Sequence, residues 1–241
     1  NNNTGGLDAT VKTGQSVAIG SNAAIADLTI EAGATVTISA GNTLTVNGDI
    51  ANNNSMVIES AATLLQTKAA NANSGSGTYT VSREFTPQDH LRFSMWSSPV
   101  SNEDIQDAFS SSNANDRYEY DADNQAWSAY ATGVMNAGQG YAVTPTINNG
   151  VSGGFSDTKT FVGSINNGDV SLNVTGIAAS DYILLGNPYP SALNFATFAA
   201  DHSDILPTVY YWDASPGNSG DAQYASWNAS GQTSAPNSNR N

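Results

Sequence analysis

A short apolar–polar–apolar triplet recurs every eight residues near the start of the chain. It reads Leu28–Ile30, Val36–Ile38 and Leu44–Val46, and Val17–Ile19 and Met56–Ile58 fit with looser spacing. Such a triplet has a period of two, so its apolar pair faces one side of a strand and its middle residue faces the other. The repeat therefore predicts a series of short β-strands.

Small residues separate the triplets. Ala32–Thr35 precedes the second triplet and Ala40–Thr43 the third, each with a glycine that permits the positive φ of a sharp corner. Recurring glycine and β-branched residues are unfavourable in a helix. Short strands joined by regular corners are typical of a β-solenoid with an inward column of Leu, Ile and Val. We predict a β-solenoid over residues 1–70.

Threonines occupy outward positions of the repeat. Thr35, Thr37, Thr43 and Thr45 could form a flat array that orders water or ice, as on solenoid antifreeze proteins. Threonine also favours exposed strand positions by β-propensity alone. Because the array is short and stops by Met56, we favour the second interpretation.

A stretch of small polar residues, 69–78, follows the repeat. This composition is typical of a flexible connection. We therefore place a linker or loop at 71–78 and a second domain at 79–241.

The second domain contains two copies of one pattern, at about 79–145 and 160–230. In each copy an apolar strand ends in a Pro turn, a short helical stretch follows, and a Tyr-rich strand ending in Asp leads through a tight loop to a Trp. These segments are 91–100, 103–109 and 118–121 in the first copy, and 182–191, 193–198 and 209–213 in the second. Ser191 can cap the second helical stretch, and the Trp can close a hairpin by packing on the Tyr face.

The whole pattern predicts an all-β fold. We expect a short β-solenoid followed by an antiparallel, jelly-roll-like β-sandwich with one or two short helices. The chain also stops in a polar stretch, so we expect the second copy to be truncated at its C-terminus.

The charge balance excludes several classes of partner. The chain has 7 Lys and Arg against 21 Asp and Glu, a net charge of −14. Nucleic acids and anionic membrane surfaces both require clustered cations, so we expect neither as a partner.

Cysteine is absent, which excludes disulfides and thiolate chemistry. No apolar run has spanning length, so we expect no membrane insertion.

No pattern of catalytic residues emerges. His90 and His202 lie far apart and outside any zinc-binding spacing, and the chain has no Gly-x-Ser-x-Gly motif and no phosphate-binding loop. We therefore expect no enzyme, no catalytic residue and no organic cofactor.

One turn is the best calcium candidate. Asp121, Asp123 and Asn124 place three oxygen-bearing side chains within four residues, which suits a hard cation. The alternative is an ordinary Asx turn, because the spacing and distal Glu of an EF-hand are missing.

Clustered aromatic residues are the best candidates for a ligand surface. Exposed Tyr118, Trp127, Tyr211 and Trp227 could stack on sugar rings. The alternative is that strand alternation buries these rings in the sandwich core.

Several motifs resemble a module of large secreted proteins of Bacteroidota, especially flavobacteria. They are Trp96–Val100, Gly138–Tyr141 and, most specifically, Gly186–Leu193, which contains Asn-Pro-Tyr-Pro-Ser. The resemblance covers roughly residues 14–230. It implies export by the type IX secretion system to the cell surface or the medium. We do not expect the C-terminal sorting domain of such proteins within this sequence, and the second copy lacks the Gly-x-Gly-Tyr strand.

Three functions stay open at this point. The first is a structural and adhesive surface module, and the second is a carbohydrate-binding appendage of a secreted polysaccharide-degrading enzyme. The partner would be an extracellular polysaccharide or a surface protein, and solenoid ends could also stack in self-assembly. The third, a lyase built on the solenoid, lacks a cluster of Arg, Lys and Asp on one face.

Overall fold

The chain begins with a β-solenoid of three coils. The computed structural model describes residues 6–68, 73–85, 93–144, 157–175, 178, 180–202, 205–212, 224–228 and 230–233. Each coil contributes three short strands: β1 Ala9–Val11, β2 Ser16–Ile19 and β3 Ala23–Ile25; β4 Leu28–Ile30, β5 Thr35–Ile38 and β6 Thr43–Val46; β7 Ile50–Asn52, β8 Ser55–Ile58 and β9 Thr63–Gln66.

Equivalent strands of successive coils pair in parallel, in the orders β1-β4-β7, β2-β5-β8 and β3-β6-β9. Leu28 stands beside Ala9 in one neighbouring coil and Ile50 in the other. The three triplets with eight-residue spacing are therefore three sides of one coil and do not stack on one another. Stacked partners such as Thr35 and Ser55 are 20 residues apart.

The predicted apolar column is confirmed. Inward side chains along the strands are fully buried, among them Ile30, Ile38, Val46, Met56 and Ile58. Burying such side chains supplies the main driving force for stacking the coils.

The threonines do not form a single flat array. Thr35 and Thr37 lie on β5, whereas Thr43 and Thr45 lie on β6, and these two strands belong to different sheets. The interpretation that Thr occupies outward strand positions by propensity agrees with this placement.

A tenth strand carries the solenoid into the second domain. Strand β10, Thr78–Phe85, pairs in parallel with β8, and β16, Asp157–Ile165, pairs antiparallel with β10. The short β12, Val100–Ser101, completes a six-stranded sheet in the order β12-β16-β10-β8-β5-β2.

The segment predicted to be a linker continues the solenoid wherever the structure describes it. Ser74 bridges Ala51 in parallel and accepts a 2.8 Å hydrogen bond from Asn52 N. Gly77 N and Thr78 N each donate a 2.8 Å hydrogen bond to a carbonyl of the third coil. Residues 73–78 are therefore part of a fourth, partial coil, and residues 71 and 72 lie outside the described residues.

A second, antiparallel sheet faces the six-stranded one. Its order is β11-β15-β13-β14, formed by Ser94–Trp96, Tyr141–Val143, Arg117–Asp121 and Ala126–Ala129. Helix α1, Ile105–Ala108, precedes a 3₁₀ turn at Ala114–Asp116. Phe109 fills the space between the sheets, with edge-to-face contacts to Trp96 at 5.2 Å and Phe161 at 6.0 Å.

The second copy of the repeated pattern is less complete. It contains helix α2, Phe195–Asp201, the hairpin of β17, Thr208–Trp212, with β18, Tyr224–Asn228, and the added strand β19, Gly231–Thr233. Its predicted first strand is reduced to one bridge between Leu185 and Gln139. The cap of α2 is Asn194, which accepts from Thr197 N at 3.2 Å, and not Ser191.

The predicted fold class is confirmed. The described chain is all-β, with a solenoid followed by antiparallel sheets and two short helices.

We expect Gly75→Ala to destabilise the protein far more than Gly14→Ala. Both glycines have positive φ, +95° and +77°, so either alanine costs about 1 kcal/mol in backbone strain. A Cβ on Gly75 would lie 2.0 Å from the Asn52 carbonyl oxygen, whereas a Cβ on Gly14 would meet nothing within 4 Å. The overlap should add about 1–3 kcal/mol to the loss in unfolding free energy measured in urea. Equal losses for the two variants would contradict the assignment of residues 73–78 to the solenoid.

Candidate functional site

Alternation along β13 separates an inner charged face from an outer aromatic face. Arg117 points inward, is 2% exposed, and donates to the carbonyls of Phe109 and Ser112, each at 2.9 Å. Tyr118 and Tyr120 therefore stand on the opposite face of the sheet. The strand thus fixes which rings can be displayed.

The first hairpin closes through an aromatic pair. Tyr120 and Trp127 are directly opposite in register, and their rings meet edge to face with centroids 5.2 Å apart. This confirms the predicted packing of Trp on the Tyr face. Trp127 nevertheless keeps 44% of its surface exposed, while Tyr118 is half-buried against Phe93.

Gln125 joins the two copies of the pattern. Its amide nitrogen donates to the Tyr182 carbonyl at 2.9 Å, and its amide oxygen accepts from Tyr182 N at 2.7 Å. Tyr120 Oη also donates to that amide oxygen at 3.1 Å. The side-chain amide thus pairs with the Tyr182 backbone as a neighbouring strand would. No motif in the sequence singles out Gln125, because its partner is 57 residues away.

Further exposed rings of the second copy adjoin this joint. Tyr182 meets Tyr210 edge to face at 5.8 Å, and Tyr224 meets Trp212 at 5.3 Å. Tyr182, Tyr210 and Tyr224 are 60%, 51% and 43% exposed. With two rings of the first hairpin they form what we call the aromatic surface: Tyr120, Trp127, Tyr182, Tyr210 and Tyr224.

The surroundings of Tyr120 tie this surface together. Burial raises the pKa of Tyr120, and the nearby Asp181, Tyr224 and Tyr182 raise it further. Since such electrostatic effects require proximity, groups from both copies converge on Tyr120. The hydroxyl groups supply a polar rim to otherwise apolar ring faces.

The four predicted stacking residues do not form one site. Trp127 belongs to the aromatic surface, and Tyr118 lies on the same face of its sheet. Tyr211 and Trp227 lie on the other face of the second hairpin, because both alternate with Tyr210 and its partner Ser226. There Trp227 packs edge to face on Phe195 of α2 at 5.6 Å, and Tyr211 is 52% exposed.

The predicted calcium turn has the geometry of an Asx turn. Asp121 accepts from Asn124 N at 3.0 Å and from Asn124 Nδ2 at 2.7 Å, using both carboxylate oxygens. These hydrogen bonds hold the pKa of Asp121 below its usual range. Asp123 accepts from Thr175 at 3.4 Å. Within the described residues, no three His, Cys, Asp or Glu side chains form a group that could hold a metal ion.

The side chains of His202 and of the buried Glu103 contact neighbouring residues of the fold. The His202 ring stacks on Phe198 at 4.2 Å at the end of α2, and His90 lies outside the described residues. Glu103 is 5% exposed and accepts a 2.5 Å hydrogen bond from Val162 N. Its carboxylate therefore ties the α1 region to β16.

Comparison with known protein families assigns the chain to one of them. A family model described as a domain of unknown function, DUF8693, matches residues 7–240. The chain belongs to this family. Neither the curated proteins nor the solved structures provide a match. Among the described residues of this DUF8693 chain, no helix is long and apolar enough to span a membrane.

We expect Glu103→Gln to stabilise the DUF8693 chain at neutral pH. Burial raises the pKa of Glu103 above its usual 4.5, against the opposing hydrogen bond from Val162 N. The folded state therefore favours the protonated carboxyl, and the stability this contributes is lost as pH rises through the folded pKa. Urea unfolding should show a gain for the variant at pH 7 that shrinks toward pH 4. An advantage that is independent of pH would contradict this reasoning.

Proposed function

We propose that this chain is a non-catalytic extracellular module of a secreted bacterial surface protein and works by adhesion. The observation that carries the proposal is the aromatic surface, in which four exposed rings and the half-buried Tyr120 lie on two hairpins and on the loop bearing Tyr182. Exposed apolar patches of this kind commonly mark interaction sites. Aromatic rings provide large contact areas at low cost in side-chain entropy.

Rigidity supports an adhesive role. The Trp127 and Tyr210 rings stand on hydrogen-bonded strands, and the Gln125 amide ties the loop bearing Tyr182 to the first hairpin. A surface that is already ordered loses little conformational freedom when a partner binds. The solenoid, which shares a sheet with the second domain, would act as a rigid base.

The location outside the cell belongs to the same proposal. It rests on the resemblance of Gly186–Leu193 and the neighbouring motifs to secreted Bacteroidota proteins, which also suggests the type IX secretion route. A net charge of −14 and the absence of Cys are compatible with such a protein.

A carbohydrate-binding appendage is the second candidate. It is favoured by the chemistry of the rings, since the tyrosines and Trp127 combine apolar faces with hydroxyl and indole donors, a combination that suits stacking on sugars. A polysaccharide is the partner this candidate requires, whereas adhesion also allows a surface protein.

Self-association is a further expectation. In the described part of the chain, β1 and β2 each pair on one side only, whereas Gly6 lies against the free side of β3. These open strand edges are where two copies would stack.

We expect Trp127→Ala to weaken retention on insoluble polysaccharides, measured by depletion from solution on cellulose, chitin and pectin particles. Loss of one stacking ring should raise the apparent Kd about two- to tenfold. Tyr211→Ala is the matched control, because it removes a ring of similar exposure from the other face of the second hairpin.

Three outcomes separate the alternatives. Retention lost in Trp127→Ala and kept in Tyr211→Ala supports carbohydrate binding. If no polysaccharide retains the protein, but beads coated with it adhere to cells and beads coated with Trp127→Ala do not, the adhesive function stands without sugar binding. Full adhesion by Trp127→Ala, or turnover of a uronate polymer by the purified chain, would contradict the proposal.

A further inference from the structure

A pair of adjoining cavities lies beside the third solenoid coil, away from the aromatic surface. The larger, about 490 Å³, lies between the coil corner at Ala61–Thr63, Arg83 on β10, Trp96 on β11 and the loop Asn187–Ala192. The smaller, about 270 Å³, is lined by residues 64–68 of the same coil and shares Tyr189–Ala192 with the first. We call the two together the loop groove. The larger cavity falls within the size range of small-molecule sites.

The loop that forms its outer wall is firmly held. Asn187 donates to Ser191 O at 2.6 Å and accepts from Tyr189 N at 3.0 Å. Tyr189 Oη reaches Gly168 O at 2.7 Å, and Asn166 donates to Pro188 O at 3.0 Å. The groove therefore exists before any ligand arrives, which reduces the cost of binding.

Arg83 is the cation of this groove without a described acidic partner. Lys12, Lys68 and Lys159 each form an ion pair, with Glu31, Asp49 and Asp157 respectively. The hydrogen bonds that the structure gives Arg83 go to the Ser82 and Pro190 carbonyls, at 2.8 and 3.2 Å. Two such bonds leave donors of its guanidinium for another group, since arginine carries five N–H bonds.

A second cation stands next to it. Arg83 and Lys159 are directly opposite in the β10–β16 register, an arrangement that places like charges side by side. Lys159 is 4% exposed and pairs with Asp157 at 3.0 Å, and it lines neither cavity. On this face of the two strands Arg83, Lys159 and Asp157 together leave an excess of one positive charge, in a chain with a net charge of −14.

Glu84 does not offset that excess within the groove. It borders the larger cavity, but as the neighbour of Arg83 on a strand it projects to the other face of the sheet and is exposed. Arg83 shares its face with Val81, whose side chain is buried.

An aromatic wall adjoins the cation. Trp96 is half-buried, with Phe85 and Phe109 packed edge to face on it at 5.1 and 5.2 Å. The Trp96 ring is thus fixed in orientation where it lines the groove. A cation beside a fixed indole provides one contact for an anionic substituent and one for an apolar ring face.

We propose that the loop groove binds an anionic sugar, with the carboxylate or sulfate group on the Arg83 guanidinium and the sugar ring against Trp96. The smaller cavity continues past Tyr189 and is lined by Asp169 and by Lys68, which pairs with Asp49, so it would take a further sugar residue through its hydroxyl groups. This site is separate from the aromatic surface and does not depend on the proposed function.

Calorimetry with three oligosaccharides tests the proposal. Hexamers of galacturonate and of sulfated carrageenan distinguish the two anionic groups, and cellohexaose is the neutral control. We expect at least one acidic hexamer to bind at low salt, with an affinity that falls as salt is added, and cellohexaose to bind far more weakly. Hexaglutamate that binds as tightly as the sugars would overturn the assignment to sugar.

Arg83→Gln tests whether the positive charge of Arg83 binds the acidic sugar, as distinct from the hydrogen bond of Arg83 to the Pro190 carbonyl in the loop. Gln keeps an amide donor but carries no charge, so we expect the Kd for the acidic hexamer to rise about tenfold or more while the melting temperature changes little. Lys12 forms an exposed ion pair with Glu31 on a distant part of the solenoid, so Lys12→Gln should leave the Kd for the acidic hexamer unchanged. Trp127→Ala should also leave it unchanged, which keeps this test independent of the aromatic surface.

A second variant tests the same site in case Arg83→Gln does not fold. Ala192 is exposed at the wall of both cavities, so Ala192→Trp should block the groove without touching the sheet. Loss of binding in Ala192→Trp supports the site. Unchanged affinity in either folded variant, or no binding of either acidic hexamer to the native protein, would overturn it.

Discussion

Strand β10 is paired on both sides, and the rest of the structure depends on that double pairing. On one side it continues the parallel sheet of the solenoid, with Val81 beside Ile58; on the other it begins the antiparallel sheet, with Val81 beside Phe161. All three side chains are fully buried. The apolar column of the solenoid therefore passes without a break into the core of the second domain, and neither part has a complete core alone.

The same strand places both surfaces to which function is assigned. Its inward face also carries Arg83, which thereby reaches the groove beside the third coil. Across the sandwich, Phe109 and Trp96 pack against Phe161 of the neighbouring strand and so position the second sheet. The outer face of that sheet carries Tyr120 and Trp127 of the aromatic surface. Adhesion through exposed rings and recognition of an anion in a groove are thus separate proposals supported by one scaffold.

Much of the fold follows from local pattern, and the parts that do not follow depend on distant contacts. The period-two triplets and corner glycines predict strands and turns correctly, but the closing of three triplets into one coil depends on pairing 20 residues away, as between Thr35 and Ser55. The composition of 69–78 is that of a linker, yet Gly75 and Gly77 pack closely on Asn52 of the third coil. Small residues suit both situations, so composition alone could not decide between them.

The candidate sites show the same division. Alternation predicts that some tyrosines face outward, and the Tyr120–Trp127 pair follows from hairpin geometry. It could not predict that Tyr211 and Trp227 lie apart from Trp127, because the second hairpin is placed by distant contacts, such as the hydrogen bond from Trp212 Nε1 to the Phe93 carbonyl 119 residues away. Arg83 could not be identified from the sequence either, because a lone arginine in a strand forms no motif. Its proposed role depends on the groove around it.

Native-state hydrogen exchange of β5, β10 and β16 amides in increasing urea tests most directly whether solenoid and second domain are one cooperative unit. Amides of a single unit converge on the same opening free energy and the same dependence on urea. A shared sheet predicts that convergence for all three strands. If β5 amides stay protected at urea concentrations where β10 and β16 amides already exchange through a common opening, the solenoid is stable alone and the account is contradicted.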